Sequence, residues 1–249
     1  MNQEEQWLLT EKYQGLESEA FQADLVLLRS GTPLAYLIGS IPFLNCTIHL
    51  DSHPLIPRSE TEFWTEKAID SIRQYVCTGA RPGVNILDLC AGSGAIGVAV
   101  AKAVPETQVT FGEIDKKHLA TIGKNLDSND IPCTQYKVFQ SDLFENIPDT
   151  YDFILTNPPY IDPALDRTES SVKLHEPSLA LYGGAEGMEC IETIISQATK
   201  HLSDNGQLWI EHEPEQTTDI ASLALKNGFI SSTHKDQYDT DRYSILVLQ

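Results

Sequence analysis

Positive charge is scarce in this chain. Lysine and arginine number 17 against 36 aspartates and glutamates, a formal net charge of -19. That balance repels polyphosphate and removes the usual electrostatic contribution to nucleic-acid affinity, so DNA is the weaker candidate partner and a basic protein segment the better match. Long hydrophobic runs are missing as well. No apolar stretch approaches the ~20 residues that span a bilayer, and Met1 to Glu11 carries acids where a secretory signal carries bases. The expectation is a cytoplasmic monomer that binds neither membrane nor DNA. Cysteine is sparse and badly placed for pairing. Cys46, Cys77, Cys90, Cys133 and Cys190 are odd in number and include no C-x-x-C pair, which argues against a disulfide framework and against a zinc site. Repeats and low-complexity tracts are absent, and no metal is expected.

What is present reads as one α/β domain with a small helical appendage. In 249 residues there is room for a sizeable core. Residues 2 to 30 carry a helical apolar stripe in two pieces, with Leu25 and Leu28 on it, ending at Gly31-Thr32-Pro33. From Ala35 to Pro57 short β-prone runs are broken by Gly39, Pro42 and Pro54, which predicts a hairpin linker. Ser59-Glu60-Thr61-Glu62 fits a capping box, so a helix is expected to begin at Glu60. Beyond Gly83, strand and helix patterns alternate: strands at 84–89, 108–113, 135–139, 152–156 and 207–211, and helices at 95–103, 116–126, 188–202 and 215–226. A closing hairpin is expected at 229–234 and 242–248. Repeated β-then-α units imply a parallel sheet, here a seven-stranded, doubly wound, Rossmann-like one. The expected organisation is a helical substrate-docking domain over 1–34, a linker over 35–58 and a catalytic domain over 59–249.

The first strand, Val84 to Leu89, runs into Cys90-Ala91-Gly92-Ser93-Gly94-Ala95-Ile96-Gly97 and then a helix. Glycines at such a turn let a ligand approach the backbone closely at the carboxyl end of the strand. By letters alone Gly92 to Gly97 satisfies G-x-G-x-x-G, and Glu113 falls 21 positions after Gly92, at the end of the next strand, where a carboxylate orients ribose hydroxyls. A nicotinamide dehydrogenase and an S-adenosylmethionine-dependent methyltransferase both use this arrangement. Asp88 matches the acid that precedes the glycine loop in methyltransferases, and Asp142 stands where a carboxylate accepts from an adenine amino group.

The chemistry is selected by Asn157-Pro158-Pro159-Tyr160, which follows the strand Asp152 to Thr156 directly. Two prolines hold φ and remove two N–H donors, leaving carbonyls to point outward as acceptors. The Asn157 side-chain oxygen and the Pro158 carbonyl can together hold both hydrogens of an NH2 group, while Tyr160 stacks on a flat amide or base. Asn157, Pro158 and Tyr160 are therefore the candidate catalytic residues, and Asn157 to Tyr160 the candidate substrate-binding turn. An adenine amine and a carboxamide both suit it. Arg58 is left between anchoring substrate and pairing with Glu60 or Glu62. His175 and His212 lack metal-ligand spacing and are given no role, and the Glu211-His212 pair is placed for site support at a strand end.

With those residues in view, the sequence resembles the release-factor glutamine methyltransferases, the HemK/PrmC family, along almost its whole length. Arg29, Gly31, Pro33, Tyr36, Ile38, Gly39 and Phe43 look like the family's linker signature, and Ile56-Pro57-Arg58-Ser59-Glu60-Thr61-Glu62 is similar to its I-P-R-x-x-T-E segment. Asp88 to Ile96 resembles its cofactor loop and Asn157 to Tyr160 its substrate motif. His175-Glu176-Pro177, Ala180-Leu181 and Gly183-Gly184 resemble a further block. The resemblance implies S-adenosylmethionine as cofactor and, as acceptor, the side-chain nitrogen (N5) of the glutamine in the Gly-Gly-Gln loop of class I peptide chain release factors. It implies Cys90, Ala91, Gly92, Ser93 and Gly94 at the methionine part of the cofactor, and Asp88 among the cofactor-binding residues. Glu113 falls at the ribose, Asp142 and Leu143 beside adenine, and Asn157 between cofactor and glutamine. Cys90-Ala91 stands where Gly-Thr is usual, Glu113 where aspartate is, and Leu143 where an aromatic is common. Within methyl transfer the alternatives are a ribosomal-protein glutamine and, against the charge, DNA adenine N6. Outside it they are a dehydrogenase and a non-reacting cofactor-binding scaffold.

Overall fold

The computed structural model describes residues 1–79, 83–165 and 168–248. Helices α1 (Gln3–Trp7) and α2 (Glu19–Arg29) open the chain, α1 continuing as a π turn over Leu8–Lys12. Both starts are capped by side chains. The Asn2 amide oxygen accepts from the Glu5 N–H while Glu5 accepts from the Asn2 N–H, and the Ser18 hydroxyl accepts from Phe21, each satisfying an otherwise orphaned helix donor. Leu8, Leu9, Phe21, Leu25 and Leu37 form a small core of their own.

The expected linker differs at its start. Residues 34–38 are helical: α3 (Leu34–Ile38) follows Pro33 and stops at Gly39, whose φ is +90°. Proline presets the first turn and a left-handed glycine ends it. Five residues are too few to display a helical period. The hairpin proper is β1 (Ser40–Phe43) paired antiparallel with β2 (Cys46–His49).

Helix α4 (Ser59–Cys77) begins as expected but without the capping box. Arg58 holds the N-cap position, the Ser59 hydroxyl donates to Glu60, and Glu62 accepts instead from the Leu44 N–H in the hairpin turn, 2.5 Å away. A turn N–H from a distant segment has taken the carboxylate that the local motif reserved.

The catalytic domain then alternates β3 (Val84–Leu89), α5 (Ala95–Ala103), β4 (Thr107–Glu113), α6 (Lys116–Ser128), β5 (Tyr136–Gln140) and β6 (Tyr151–Thr156). It continues with α7 (Ser170–His175), α8 (Glu189–Ala198), β7 (Leu202–Glu211), α9 (Thr217–Lys226), β8 (Phe229–Lys235) and β9 (Asp241–Leu248). The Arg81-Pro82 break preceding β3 lies outside the described residues. Seven strands form one sheet in the order β5-β4-β3-β6-β7-β9-β8, parallel except that β9 runs antiparallel to both its neighbours. The order turns back between β3 and β6, which opens a crevice at their carboxyl ends, where ligands bind in such sheets. Two cores flank the sheet, one including Trp64, Ile86 and Phe111, the other Leu87, Ile154 and Ile191.

The hairpin is no free spacer. Phe43, Cys46 and Ile48 are buried in the core that holds Trp64, and two asparagines one turn apart, Asn125 on α6 and Asn129 at its C-cap, act as rungs for β2. Asn125 accepts from the His49 N–H at 2.7 Å and donates to the His49 carbonyl; Asn129 does the same with Thr47. Side-chain amides carry the donor and acceptor of a peptide unit, so the pair satisfies a strand edge that would otherwise stay open. Among the described residues no helix is long and apolar enough to cross a membrane.

Candidate functional site

Strand β3 delivers the glycine loop to the crevice. The backbone turns left-handed at Cys90 (φ +60°), Gly92 (φ +55°) and Gly94 (φ +79°), and Gly94 caps α5. At Gly97 even a methyl group would strike the Phe111 ring and the Asp88 carboxylate, so α5 can sit on β4 only with glycine there. Asp88 is 0 % exposed, and one oxygen accepts from the Gly97 N–H at 2.8 Å. Burial and the nearby Glu113 charge push its carboxyl well above the usual range. Expected among the cofactor-binding residues, Asp88 lies in this structure beneath the loop, where it ties strand to helix and does not line the cavity above it.

A cavity of about 260 Å³ opens above the loop, and Cys90, Gly92, Glu113, Asp142, Leu143 and Asn157 all line it. The acids of this wall differ in surroundings. Glu113 is buried, its two oxygens accepting from the Gly92 and Asp115 N–H groups at 2.7 Å each. Burial raises its pKa and those backbone donors oppose the rise. Asp142 is exposed at the rim. Ile114 and Leu143 supply apolar surface to the same cavity. The loop itself spends much of its hydrogen bonding internally, since Ala91 N–H donates to Gly112, Gly92 N–H to Glu113 and Gly94 N–H to Ala91. Ala91, Ser93 and Gly94 do not line the cavity. Its neighbour Cys190, together with burial, pushes the Cys90 thiol well up, so it meets the cavity as a small apolar group.

The acceptor turn follows β6 and stands between two cavities. Asn157 and Pro159 face the first; Tyr160 lines a second, of about 300 Å³, with Asp162, Glu186, Glu213 and Glu215. Pro158 lines neither. Glycines press on the turn from behind: a Cβ at Gly183 would collide with the Pro159 carbonyl, and one at Gly187 with the Tyr160 carbonyl. The Ile161 N–H donates to Leu181 and the Gly183 N–H to Ile161, while Gln216 donates to the Tyr160 carbonyl. The Gly183-Gly184 block thus backs the acceptor turn.

Beneath the turn lies a buried carboxylate. Glu211, 1 % exposed, accepts from Thr61 Oγ1 at 2.7 Å and Trp64 Nε1 at 2.6 Å on one oxygen, and from the Tyr160 hydroxyl at 2.9 Å on the other. Burial pushes its pKa up; the three donors pull it back. Asn157 Nδ2 donates to Thr61 Oγ1 at 3.2 Å. Tyr160 is therefore held by its hydroxyl, with its phenol kept neutral by burial and by the Glu211 charge.

Arg58 does not pair with Glu60 or Glu62. Its guanidinium pairs with Glu176 at 2.5 Å, and the other Glu176 oxygen accepts from the Ile56 N–H at 3.0 Å. This joins the Ile56 to Arg58 segment to the 170–180 stretch, whose Pro177, Leu179 and Ala180 line the first cavity opposite the loop. Sequence reasoning missed Thr61, Trp64, Glu176, His118 and Cys190 as site neighbours. Thr61 and Glu176 stood inside motifs without a stated partner, and His118 carried no local signal at all. His212 is buried with both ring nitrogens engaged, by the Glu213 carbonyl and the Ser244 hydroxyl, as a packing histidine would be.

His118 gives a pH-dependent prediction. It is buried on α6 against the first cavity, with Nδ1 2.7 Å from the Ser52 hydroxyl. Burial, with help from the Lys117 charge and against Asp115, pushes it down from 6.5 to about 4. Between those values the unfolded chain binds the proton and the folded one does not. Its contribution to stability is complete above about 6.5 and is lost as pH falls toward about 4. His118→Gln is expected to flatten this part of a melting-temperature profile; an unchanged slope would overturn the assignment.

The family described as "Methyltransferase small domain" matches residues 74–174. The release factor glutamine methyltransferase of Rhodopirellula baltica is 37 % identical over 207 residues, spanning 82 % of this chain and 69 % of that protein. The one from Borreliella burgdorferi is 32 % identical over 228 residues, 91 % of this chain and 76 % of its own. Among solved structures, a ribosomal protein L11 methylase from Lactobacillus delbrueckii subsp. bulgaricus superposes with a TM-score of 0.55 at 15 % identity, covering 78 % of this chain and 80 % of that one. The 16S rRNA N2 G1207 methyltransferase of T. thermophilus does so at 0.57 and 16 %, covering 84 % and 50 %. At such identities the structures speak for the fold, which is the class I methyltransferase fold, whereas identity above 30 % over most of both chains speaks for descent: the chain belongs to the release factor glutamine methyltransferase family.

Proposed function

We propose that this chain transfers a methyl group from S-adenosylmethionine to N5 of the glutamine in the Gly-Gly-Gln loop of class I peptide chain release factors. The observation that carries the reading is the position of Asn157: it lines the cavity that also exposes Glu113 and Gly92, at the switch point of the sheet. The cavity suits the cofactor, with a buried carboxylate for a ribose diol, a rim acid at Asp142 for an adenine amine and Ile114 and Leu143 for the faces of a flat ring. S-adenosylmethionine supplies an electrophilic methyl on a sulfonium. Asn157 Oδ1 accepts one amide hydrogen and the Pro158 carbonyl is proposed to accept the other, although Pro158 lines neither cavity as the turn stands; both favour the state in which the nitrogen lone pair leaves conjugation and positive charge grows there. The new N–C bond forms as the S–C bond breaks, and the nitrogen then passes one proton to water. Positioning and electrostatics suffice, so no covalent nucleophile is assigned.

The second cavity gives the acceptor an approach to Tyr160, and its acidic wall favours a basic protein over DNA. A glycine-flanked glutamine enters a narrow site in extended form. Residues 1–34 are proposed to dock the substrate, and the cytoplasm, where release factors work, to be the compartment. Mass spectrometry of a release factor incubated with the protein and S-adenosylmethionine is expected to show one added methyl, and none on a Gln→Glu loop variant. Methyl on a ribosomal-protein glutamine or on DNA adenine, with the release factor untouched, would overturn the substrate assignment.

A further inference from the structure

The amide of Asn157 has two orientations, and only one presents an acceptor to the site. Hydrogen counting along the chain of contacts beneath it selects between them. Trp64 Nε1 is a donor only, and it lies 2.6 Å from the same Glu211 oxygen that Thr61 Oγ1 approaches to 2.7 Å. In the carboxylate form, which three converging donors favour, that oxygen accepts from both while its partner oxygen accepts from the Tyr160 hydroxyl. The one hydrogen of the Thr61 hydroxyl is therefore committed to Glu211. What Thr61 turns toward Asn157 is lone pairs, and at 3.2 Å the atom opposite must carry hydrogen. Nδ2 faces Thr61, and Oδ1 faces away from it. Reversing the amide would set two acceptors against each other in a buried place with no hydrogen between them.

From this we infer that Thr61, anchored on the buried carboxylate of Glu211, is a positioning residue that fixes Asn157 with its oxygen presented to the acceptor. Glu211 holds Tyr160 at the other end of the same turn, so one carboxylate sets both ends of the acceptor platform. The hydrogen-bond chain also polarises the Asn157 amide in the direction that strengthens Oδ1 as an acceptor. The inference deepens the proposed function and rests on it for its catalytic consequence, though the orientation itself does not.

Two readouts separate the orientation from the reaction. In nitrogen-15 spectra the side-chain NH2 of Asn157, assigned by its loss in Asn157→Ser, is expected as one ordered pair of signals slow to exchange with water. Thr61→Val, which trades the hydroxyl for a methyl, is expected to shift and broaden that pair; Thr61→Ser is expected to restore it. With a release factor as acceptor, Thr61→Val is expected to lower kcat about tenfold or more while cofactor affinity stays within about twofold, and Thr61→Ser to recover most of the rate. Thr61→Ala serves in the same way where valine crowds the helix. An Asn157 signal unmoved by Thr61→Val or Thr61→Ala overturns the inference, as does serine failing alongside valine. The spectra need no acceptor, so a wild-type protein that leaves the release factor unmethylated sinks the substrate assignment alone, while the signals still decide the orientation.

Discussion

Alanine at position 157 is expected to lower kcat by about 100-fold or more at saturating substrates, on the scale of losing one preorganised polar group at a reacting centre. The carboxamide nitrogen is a poor nucleophile because its lone pair is delocalised, and reaction requires it to become pyramidal and positive. In the proposed reaction Asn157 Oδ1 would meet that charge at a wall shared with the Glu113 cavity, held by Thr61 and Glu211 so that it need not reorganise. The Pro158 carbonyl remains in the variant, which is why a residual rate is expected. Cofactor affinity should change little, because Glu113 and the glycine loop stay in place. Single-turnover kinetics on the release factor check this, and near-normal turnover would remove Asn157 from the mechanism.

Glu113→Ala is expected to act on the other substrate. Each hydrogen bond between a ribose hydroxyl and a charged carboxylate contributes about 1.5 to 3 kcal/mol, which corresponds to roughly 10- to 150-fold in affinity. The structure adds a second cost. Glu113 also accepts from the Gly92 and Asp115 N–H groups, so its removal leaves two loop donors without their partner. Calorimetry with S-adenosylmethionine should show the loss at once, with the melting temperature as control for folding. Unchanged affinity in a folded variant would mean that the ribose lies elsewhere.

These two residues were visible before any coordinates because each sits at the end of a strand whose pattern is local. Gln108 to Glu113 and Asp152 to Thr156 read as strands from their short β-prone patterns, and both take their places in the parallel part of the sheet. The helices from 95 and 116 appear within two residues of their expected ends. The short helix α3 and the helix α7, which buries none of its residues, were not legible, since neither length nor periodicity marks them. Strand β7 begins at Leu202, five residues before the expected Gln207, because Leu202 already pairs with Tyr151, and a register shift separates that pair from the Phe153–Gln207 pairing.

By itself, then, the amino-acid order determined the α/β alternation, the glycine turn, the strand-end acids and the Asn-Pro-Pro-Tyr platform, all of which follow from backbone preferences and periodicities spanning a few residues. Only the tertiary structure decided who pairs with whom. Glu62 left its own helix start for Leu44, and Arg58 passed over Glu60 and Glu62 for Glu176, 118 positions away. Asn125 took the backbone of His49, and Thr61 and Trp64 met Glu211 across 150 and 147 positions. Polar side chains carry no local period, and a buried donor or acceptor must find a partner wherever the packed chain brings one. The residues that aim the site thus became visible only once the sheet had set β7 beside β6 and α4 beneath the acceptor turn.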